Sequence, residues 1–294
     1  MSQLFIGIGA QKCASTWVHR ILQDHPQACV SEPKELDFFS YNFERGFQWF
    51  ERHFPANSQA LVRGEISPSY FHDLAAPQRL KAYCPNVRVI VTLRDPVERA
   101  YSNHLHDIRI ENFSGPDLGF EAGLANNPMY VEQSRYATHL SRWMAHFSGD
   151  QLLVLLQEEI HKNPMEQSAR VYRFLGIDEK HVSVSTSERS NESYLPKSRK
   201  REQLMSMLGD SARSVGLGVG VELLRKAGLI DALKKSNRQN IREIVPPMTP
   251  ETRQRLEQVF ADEVIALARL LGRDELPWKT WAGIQGQTVL NESR

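Results

Sequence analysis

The opening of the chain limits its fold more than any other stretch. Leu4-Phe5-Ile6-Gly7-Ile8-Gly9 has the apolar character of a buried strand. It empties into Ala10-Gln11-Lys12-Cys13-Ala14-Ser15-Thr16-Trp17, where a helical pattern begins. A strand, a turn of small residues with one lysine, and a Ser-Thr helix start make an anion cradle. The free amides of the first helical turn and the positive end of the helix dipole meet at one spot. The position of the lysine narrows the choice of anion. A nucleoside-triphosphate loop reads Gly-x-x-x-x-Gly-Lys-Ser/Thr, with lysine directly before the hydroxyl that holds magnesium. Here Lys12 comes early, two small residues separate it from Ser15-Thr16, and the second glycine is missing. This is a phosphate loop that is not built for ATP and magnesium.

Apolar, β-rich runs alternate with helical patterns after that start. Residues 15–25 read as a helix with Trp17, Val18, Ile21 and Leu22 on one face, followed by a short extended piece at 28–30. A short aromatic helix is expected at 46–54, a strand at 61–66, a helix at 76–83 and a strand at 86–93. In the last of these Val87, Val89, Ile90, Val91 and Leu93 are nearly continuous, as in a strand covered on both faces. Pro96 suits the first turn of the next helix. One long helix is expected over 130–147, a buried strand over 151–156, and a helix over 164–175 stopped by Gly176. The order predicts an α/β fold, a central and mostly parallel sheet flanked by helices, with ligands bound beyond the carboxyl ends of the strands.

The pattern loosens after residue 181. Residues 183–193 are polar and loop-like, 197–201 form a basic cluster, and 215–221 are apolar and glycine-spaced. Residues 205–245 are read as an insertion whose 211–240 segment is either a lid that shapes the acceptor site or a peripheral helical pair. Thr249 then caps an amphipathic helix, 249–272, with Leu256, Val259, Phe260, Val264, Leu267 and Leu271 on one face. The whole of 1–294 is read as one domain.

Composition excludes some functions. A net charge of +1 argues against a dedicated nucleic-acid binder, which carries a marked basic excess. No stretch approaches the ~18 apolar residues of a membrane span. The first strand begins almost at once, which leaves no room for a signal peptide. Cys13, Cys29 and Cys84 are odd in number and lack metal-ligand spacing, so reduced thiols in a cytoplasmic protein are expected, with no metal. Cys13 is read as a small residue chosen for fit, the alternative being a thiol activated by the anion loop.

Two further segments carry chemistry. Arg94-Asp95-Pro96-Val97-Glu98-Arg99-Ala100-Tyr101-Ser102 joins a buried strand to a helix, with Arg94 at the strand's carboxyl end and Ser102 two helical turns on. An arginine and a hydroxyl so placed grip a second phosphate, while Glu98 and Arg99 read as structural ion-pair residues. In Lys34-Glu35-Leu36-Asp37-Phe38-Phe39 a carboxylate stands beside aromatics, a setting that can raise its pKa toward general-base duty, although by itself Glu35 reads as a surface residue rather than a base. His104 and His106 are rival bases on the helix after Ser102, although their i, i+2 spacing denies them a common face. The aromatics Phe38, Phe39, Trp49 and Phe50 are read as core rather than as an acceptor platform.

Together these segments resemble the sulfotransferases that use 3′-phosphoadenosine 5′-phosphosulfate (PAPS). Lys12-Cys13-Ala14-Ser15-Thr16-Trp17 looks like that family's 5′-phosphosulfate loop, commonly Lys-Ser-Gly-Thr-Thr-Trp. Arg94 through Ser102 looks like its 3′-phosphate motif. Glu35-Leu36-Asp37-Phe38-Phe39, Gly46-Phe47-Gln48-Trp49-Phe50 and Glu65-Ile66-Ser67-Pro68-Ser69-Tyr70-Phe71 are similar to elements of the heparan-sulfate-type branch. The likeness spans most of residues 4–176, continues through Ser134-Arg135-Tyr136, Leu140, Trp143 and 191–198, and fades over 205–245.

The resemblance implies a P-loop-like sulfotransferase fold, PAPS as donor and PAP as product. It places Gln11 through Trp17, Arg94 and Ser102 around the cofactor, with Tyr136 and Lys197 as auxiliary contacts. Lys12 would meet the bridging oxygen of the phosphosulfate, and Glu35 would be the base. The acceptor would be a small molecule, a lipid or a carbohydrate, attacked through a hydroxyl or, as second choice, an amine. Two departures matter. Ala14 stands where the loop glycine is usual, and a related geometry with ordinary φ is expected there. Ile66 stands where some glycosaminoglycan enzymes carry a lysine, which weighs against a polyanionic acceptor. A small-molecule P-loop kinase and a non-catalytic nucleotide-binding module are the alternative readings.

Overall fold

The computed structural model describes residues 2–55, 59–110, 118–187, 194–196 and 238–292. Lys197, the basic cluster 197–201, the stretch 215–221 and most of the 211–240 segment lie outside these residues. Contacts divide the chain into two compact units. One comprises Met1–His104, Leu124–Ser190 and Met248–Arg294; the other comprises Leu105–Gly123 and Asn191–Pro247.

The first unit is built on a five-stranded sheet. Its strands are β1 (Gln3–Gly9), β2 (Ala28–Val30), β3 (Val62–Ile66), β4 (Arg88–Leu93) and β5 (Leu152–Leu156), in the order β2-β3-β1-β4-β5. Every pairing is parallel. The central strands β1 and β4 are buried along nearly their whole length, as their continuous apolar runs require, whereas β5 at the edge is half-buried in its first three residues. Parallel strands need crossovers, and helices supply them: α1 (Ser15–Gln23), α2 (Phe47–Glu51) and α3 (Ala76–Tyr83) before β4, then α4 (Pro96–Arg109), α5 (Phe120–Asn126), α6 (Met129–Glu132) and α7 (Tyr136–Met144). Next come α8 (Gln157–Lys162), α9 (Pro164–Leu175), α10 (Pro250–Leu270) and α11 (Lys279–Glu292). In the second unit, β6 (Tyr194–Pro196) and β7 (Arg238–Asn240) pair antiparallel.

The apolar face of α1 supplies Val18, Ile21 and Leu22 to a core shared with Phe5, Val62, Ile90, Leu155, Val171 and Leu175. Gly176 ends α9 at φ 72°, and the amide of Ile177 returns to the carbonyl of Tyr172 at 3.0 Å. Thr249 caps α10 by accepting the Thr252 amide at 3.1 Å. Of the face expected on that helix, Leu256, Phe260, Val264 and Leu267 are buried, but Val259 is exposed.

The single helix expected over 130–147 is two helices, α6 and α7, separated by Gln133, Ser134 and Arg135. Arg99 explains the break. Its guanidinium is fully buried and donates to the carbonyl of Tyr130, to Oε1 of Gln133 at 3.1 Å and to Oγ of Ser134 at 2.5 Å. A continuous helix would keep the Tyr130 carbonyl for its own ladder. Arg99 is therefore not the ion-pair residue expected; its hydrogen bonds among the described residues go to neutral oxygens. Glu98 does pair, with Arg253 and with Arg94 at 3.8 Å.

Candidate active site

Three strands of the sheet deliver the site residues to one edge, because parallel neighbours end together. The lysine loop leaves β1, the Arg94 turn leaves β4, and the segment 65–71 leaves β3. Ala10 is fixed to the β4 end by its amide, which donates to the Thr92 carbonyl at 2.7 Å. Gly9, at φ 118°, has no space for a side chain: a Cβ would stand 2.7 Å from the Pro68 carbonyl oxygen.

The loop then turns through two left-handed residues, Lys12 at φ 66° and Ala14 at φ 73°. The ordinary φ expected for Ala14 is thus wrong. Alanine occupies the conformation glycine would take, at a cost of about 1–2 kcal/mol, and its methyl is buried in the core under α1. The first helical bonds run from Trp17 and Val18 to the Ala14 carbonyl, and no side chain caps the helix. The amides of Ser15 and Thr16 consequently have no acceptor within α1. Gln11, Lys12 and Thr16 are half-buried at the loop surface, whereas Cys13, Ala14, Ser15 and Trp17 face inward. Trp17 gives its indole N–H to the Thr186 carbonyl at 3.1 Å. Burial pushes the Cys13 thiol up to about 12, against the opposing effects of Arg99, Tyr136 and Arg94. Cys13 is a packing residue, not an activated thiol.

Arg94 is held on both sides. Glu98 pairs with it one turn into α4, and Asp95 beside it caps that helix by accepting the amides of Val97 and Glu98 at 3.0 and 3.2 Å. The Asp95 carboxylate also takes the amide and hydroxyl of Thr280 at 2.9 and 2.8 Å, and its own amide donates to Glu158 at 3.0 Å. Glu158 in turn accepts the Trp278 indole N–H at 3.0 Å. The start of α11, which the sequence pattern did not reveal, thus buttresses the Arg94 turn. Ser102 is half-buried two turns along α4.

The two carboxylates of this region, Glu35 and Glu65, stand in opposite surroundings. Glu35, at φ 66°, is not enclosed by the aromatics: its side chain is 45% exposed and ion-paired with Lys34. Phe38, Phe39 and Phe50 are fully buried and pack on one another face-on and edge-on, as a core does, while Trp49 is half-buried. The enclosed carboxylate is Glu65, at the end of β3 and fully buried. Burial raises its pKa to about 7, although Tyr70, Ser67 and the amide of Leu36 all donate to it. The sequence placed Glu65 in the family-like segment 65–71 but gave it no role; the available signal was a carboxylate followed by Ser67 and Tyr70, two hydroxyls able to donate to it.

These features meet in known proteins. The chain matches the family described as Sulfotransferase domain over residues 2–210. The chain belongs to the PAPS-dependent sulfotransferase family. It is 27% identical to human bifunctional heparan sulfate N-deacetylase/N-sulfotransferase 3 over 97% of its own length and 32% of that protein's. It is 30% identical to the human enzyme numbered 2 over 59% of its length and 22% of that protein's. The chain spans about a third of the first of these relatives or less. A sulfotransferase from Alicyclobacillus acidocaldarius has the same fold, with a TM-score of 0.67, 22% identity and coverage of 93% of this chain and 97% of that one.

PAPS is the sulfuryl donor of this family and PAP its product. The uncapped amides at α1, with Lys12 and Thr16 beside them, have the chemistry that a 5′-phosphosulfate requires. In this sulfotransferase Tyr136 lies behind the loop, fully buried, its hydroxyl 3.7 Å from the Cys13 sulfur. His104 has no exposed surface and meets the Tyr130 hydroxyl at 3.4 Å. His106, in the other unit, contacts Arg109 at 2.9 Å. Lys197 falls outside the described residues. Among the described residues no group of three or more His, Cys, Asp or Glu is arranged to hold a metal ion, and no helix is long and apolar enough to cross a membrane.

Proposed function

We propose that this sulfotransferase moves the sulfuryl group of PAPS to a carbohydrate hydroxyl or amine, with Glu35 as the base. The observation that carries the reading is the shared strand edge. There the uncapped amides of α1 and Lys12, the Arg94 turn, and the residue 34–37 segment hydrogen-bonded to the end of β3 are all delivered by adjacent strands. Ser15, Thr16 and their amides would bind the 5′-phosphate, and Arg94 with Ser102 the 3′-phosphate. Lys12 would neutralise the charge that collects on the bridging oxygen as its bond to sulfur breaks. Glu35 would take the proton of the acceptor group as the new bond to sulfur forms. Its exposure supports that role, since an acceptor can reach it, whereas His104 is wholly enclosed. The relatives named above are N-sulfotransferases of heparan sulfate, which brings a hexosamine amine into the acceptor class. Ile66 in place of a lysine and the net charge of +1 favour a weakly charged saccharide over a highly sulfated one.

Radiolabelled PAPS offered with a de-N-acetylated glucuronic acid–glucosamine polysaccharide, and with its N-acetylated form, separates amine from hydroxyl transfer. Calorimetry without magnesium should show PAP binding that weakens at least ~10-fold in Lys12→Ala and in Arg94→Ala. Glu35→Gln should keep PAP affinity while turnover falls ~10²–10⁴-fold. Indifference of both cation variants would sink the donor site, and full turnover in Glu35→Gln would remove the base assignment.

A further inference from the structure

Glu35 and Asp37 both lie in the left-handed region, at φ 66° and 49°. Neither is glycine, so the backbone of this segment persists only where its surroundings fix it. The fixing groups come from the end of β3. The Asp37 amide donates to Oγ of Ser67 at 2.9 Å. Having accepted there, the Ser67 hydroxyl gives its one proton to Oε2 of Glu65 at 2.7 Å. The Leu36 amide donates to the same carboxylate, and the Tyr70 hydroxyl donates to Oε1. Glu65, Ser67 and Tyr70 are wholly buried, and Leu36 nearly so. The amide of Ser67 is itself tied to the Gly7 carbonyl of β1 at 2.9 Å, so the anchor belongs to the sheet. Farther along, Ser69 donates to Oδ1 of Asp37 at 2.5 Å, and Asn42 holds the Leu36 carbonyl at 2.9 Å.

Three donors converge on one carboxyl group, whose two oxygens have the lone pairs to accept all three. A buried carboxyl at the end of a strand is costly, and packing alone would be served better by an apolar residue. What this one accomplishes is to lock the two amides that follow Glu35. Lys34 and Glu35 lie near enough to α1 for their charges to act on His19, one helical turn from Ser15.

We propose that Glu65 is a positioning residue, which acts through Ser67 and the Leu36 amide to hold the Glu35 carboxylate in place for proton transfer. The inference rests on Glu35 as the base. Glu65 touches no reacting atom in this scheme. It sets the backbone from which Glu35 projects, and a displacement of about 1 Å in such a group costs on the order of 10²-fold in rate.

Two variants test it. Glu65→Gln keeps the shape but turns one acceptor oxygen into a donor, and Ser67→Ala removes the bridge to Asp37 together with one donor to the carboxylate. Hydrogen exchange at the Leu36 and Asp37 amides should accelerate at least ~10-fold in each. PAP release from PAPS, with water or the de-N-acetylated polysaccharide as acceptor, should slow by roughly 10- to 100-fold. PAP affinity should stay within about twofold, since the nucleotide contacts lie elsewhere. In the Glu35→Gln background neither substitution should slow release further, because two residues that act through one group are not additive. Should Glu65→Gln fail to fold, Ser67→Ala carries the test. Unchanged exchange, unchanged release, or a full additional loss on top of Glu35→Gln would each overturn the proposal. Full release by Glu35→Gln alone would remove the base assignment, and the positioning role with it, whatever the exchange measurement gives.

Discussion

Replacing Glu65 by glutamine should change how stability depends on pH, and the size of the change follows from the burial of this one carboxyl. Its pKa is raised by burial to about 7 from the ordinary 4.5, the hydrogen bonds from Tyr70, Ser67 and Leu36 offsetting only part of the desolvation. Below pH 4.5 the carboxyl is protonated in both folded and unfolded chains and contributes no pH dependence. Between pH 4.5 and 7 the unfolded chain gives up the proton while the folded chain keeps it, so stability falls as pH rises. Above pH 7 the loss is complete. The difference between 4.5 and about 7, at 1.36 kcal/mol per pH unit, amounts to about 3 kcal/mol between pH 4.5 and 8. Glutamine does not titrate, so the loss is absent in the variant.

Thermal unfolding of both proteins at half-unit steps from pH 4.5 to 8 reads this directly. At roughly 2 °C per kcal/mol for a chain of this size, the variant should gain about 6 °C relative to the native protein across the series. A fixed offset from the lost hydrogen bonds leaves that slope unaltered. Neighbouring groups do not counterfeit it. Tyr70 is pushed by burial and by Glu65 well above this range, and Asp37, itself raised by burial, is present in both proteins. Melting curves that stay parallel at every pH would mean that the folded protein ionises Glu65 like a surface carboxylate, and the burial argument would be wrong.

Two other substitutions test the loop and the break between α6 and α7. Ala14→Gly should leave stability within about 1 kcal/mol of native, because relief of left-handed strain of about 1–2 kcal/mol is offset by loss of a buried methyl of about 0.8 kcal/mol; Ala14→Val should cost more than ~2 kcal/mol, and a neutral valine would deny the strained turn. Arg99→Met should destabilise by at least ~3 kcal/mol in thermal denaturation, since the Tyr130 carbonyl, Gln133 and Ser134 lose their donor. A loss below ~1 kcal/mol would mean that the cost of burying the guanidinium equals what its bonds return.

What the sequence disclosed follows the range of the forces involved. The apolar runs of β1, β4 and β5, the face of α1 and the Gly176 stop of α9 are local patterns, and the structure has them. The core reading of Phe38, Phe39 and Phe50 holds for the same reason. The helix of 130–147 was misread because its interruption comes from Arg99, more than thirty positions earlier. The conformation of Ala14 was misread because a turn between strand and helix is set by where the two ends must meet, not by the preference of one residue. Glu35 adjoins aromatics in sequence, yet Phe38 and Phe39 turn inward while Glu35 turns out, the surface placement that the residue by itself suggested.

The residues that sequence pattern brought forward, Lys12, Glu35 and Arg94, are half-buried or exposed, as contact with a ligand requires. Each is backed by buried polar groups that no local pattern announced. Tyr136 stands behind the Lys12 loop, 123 positions from Cys13. Thr280 fastens Asp95 from 185 positions away. Ser67 reaches Asp37 across 30. A ligand-facing charge must stay solvated until its partner arrives, so packing cannot hold it, and its geometry has to be imposed by neighbours that are themselves dry. In a dry site those neighbours must have every donor matched to an acceptor, which is why one carboxylate at the end of β3 serves Tyr70, Ser67 and Leu36 at once. Substitutions at Lys12 or Arg94 should therefore act on PAP binding and leave the fold nearly untouched. Substitutions in the buried layer should act on stability and rate together, and the Glu65 pH series separates the first of these effects from the second.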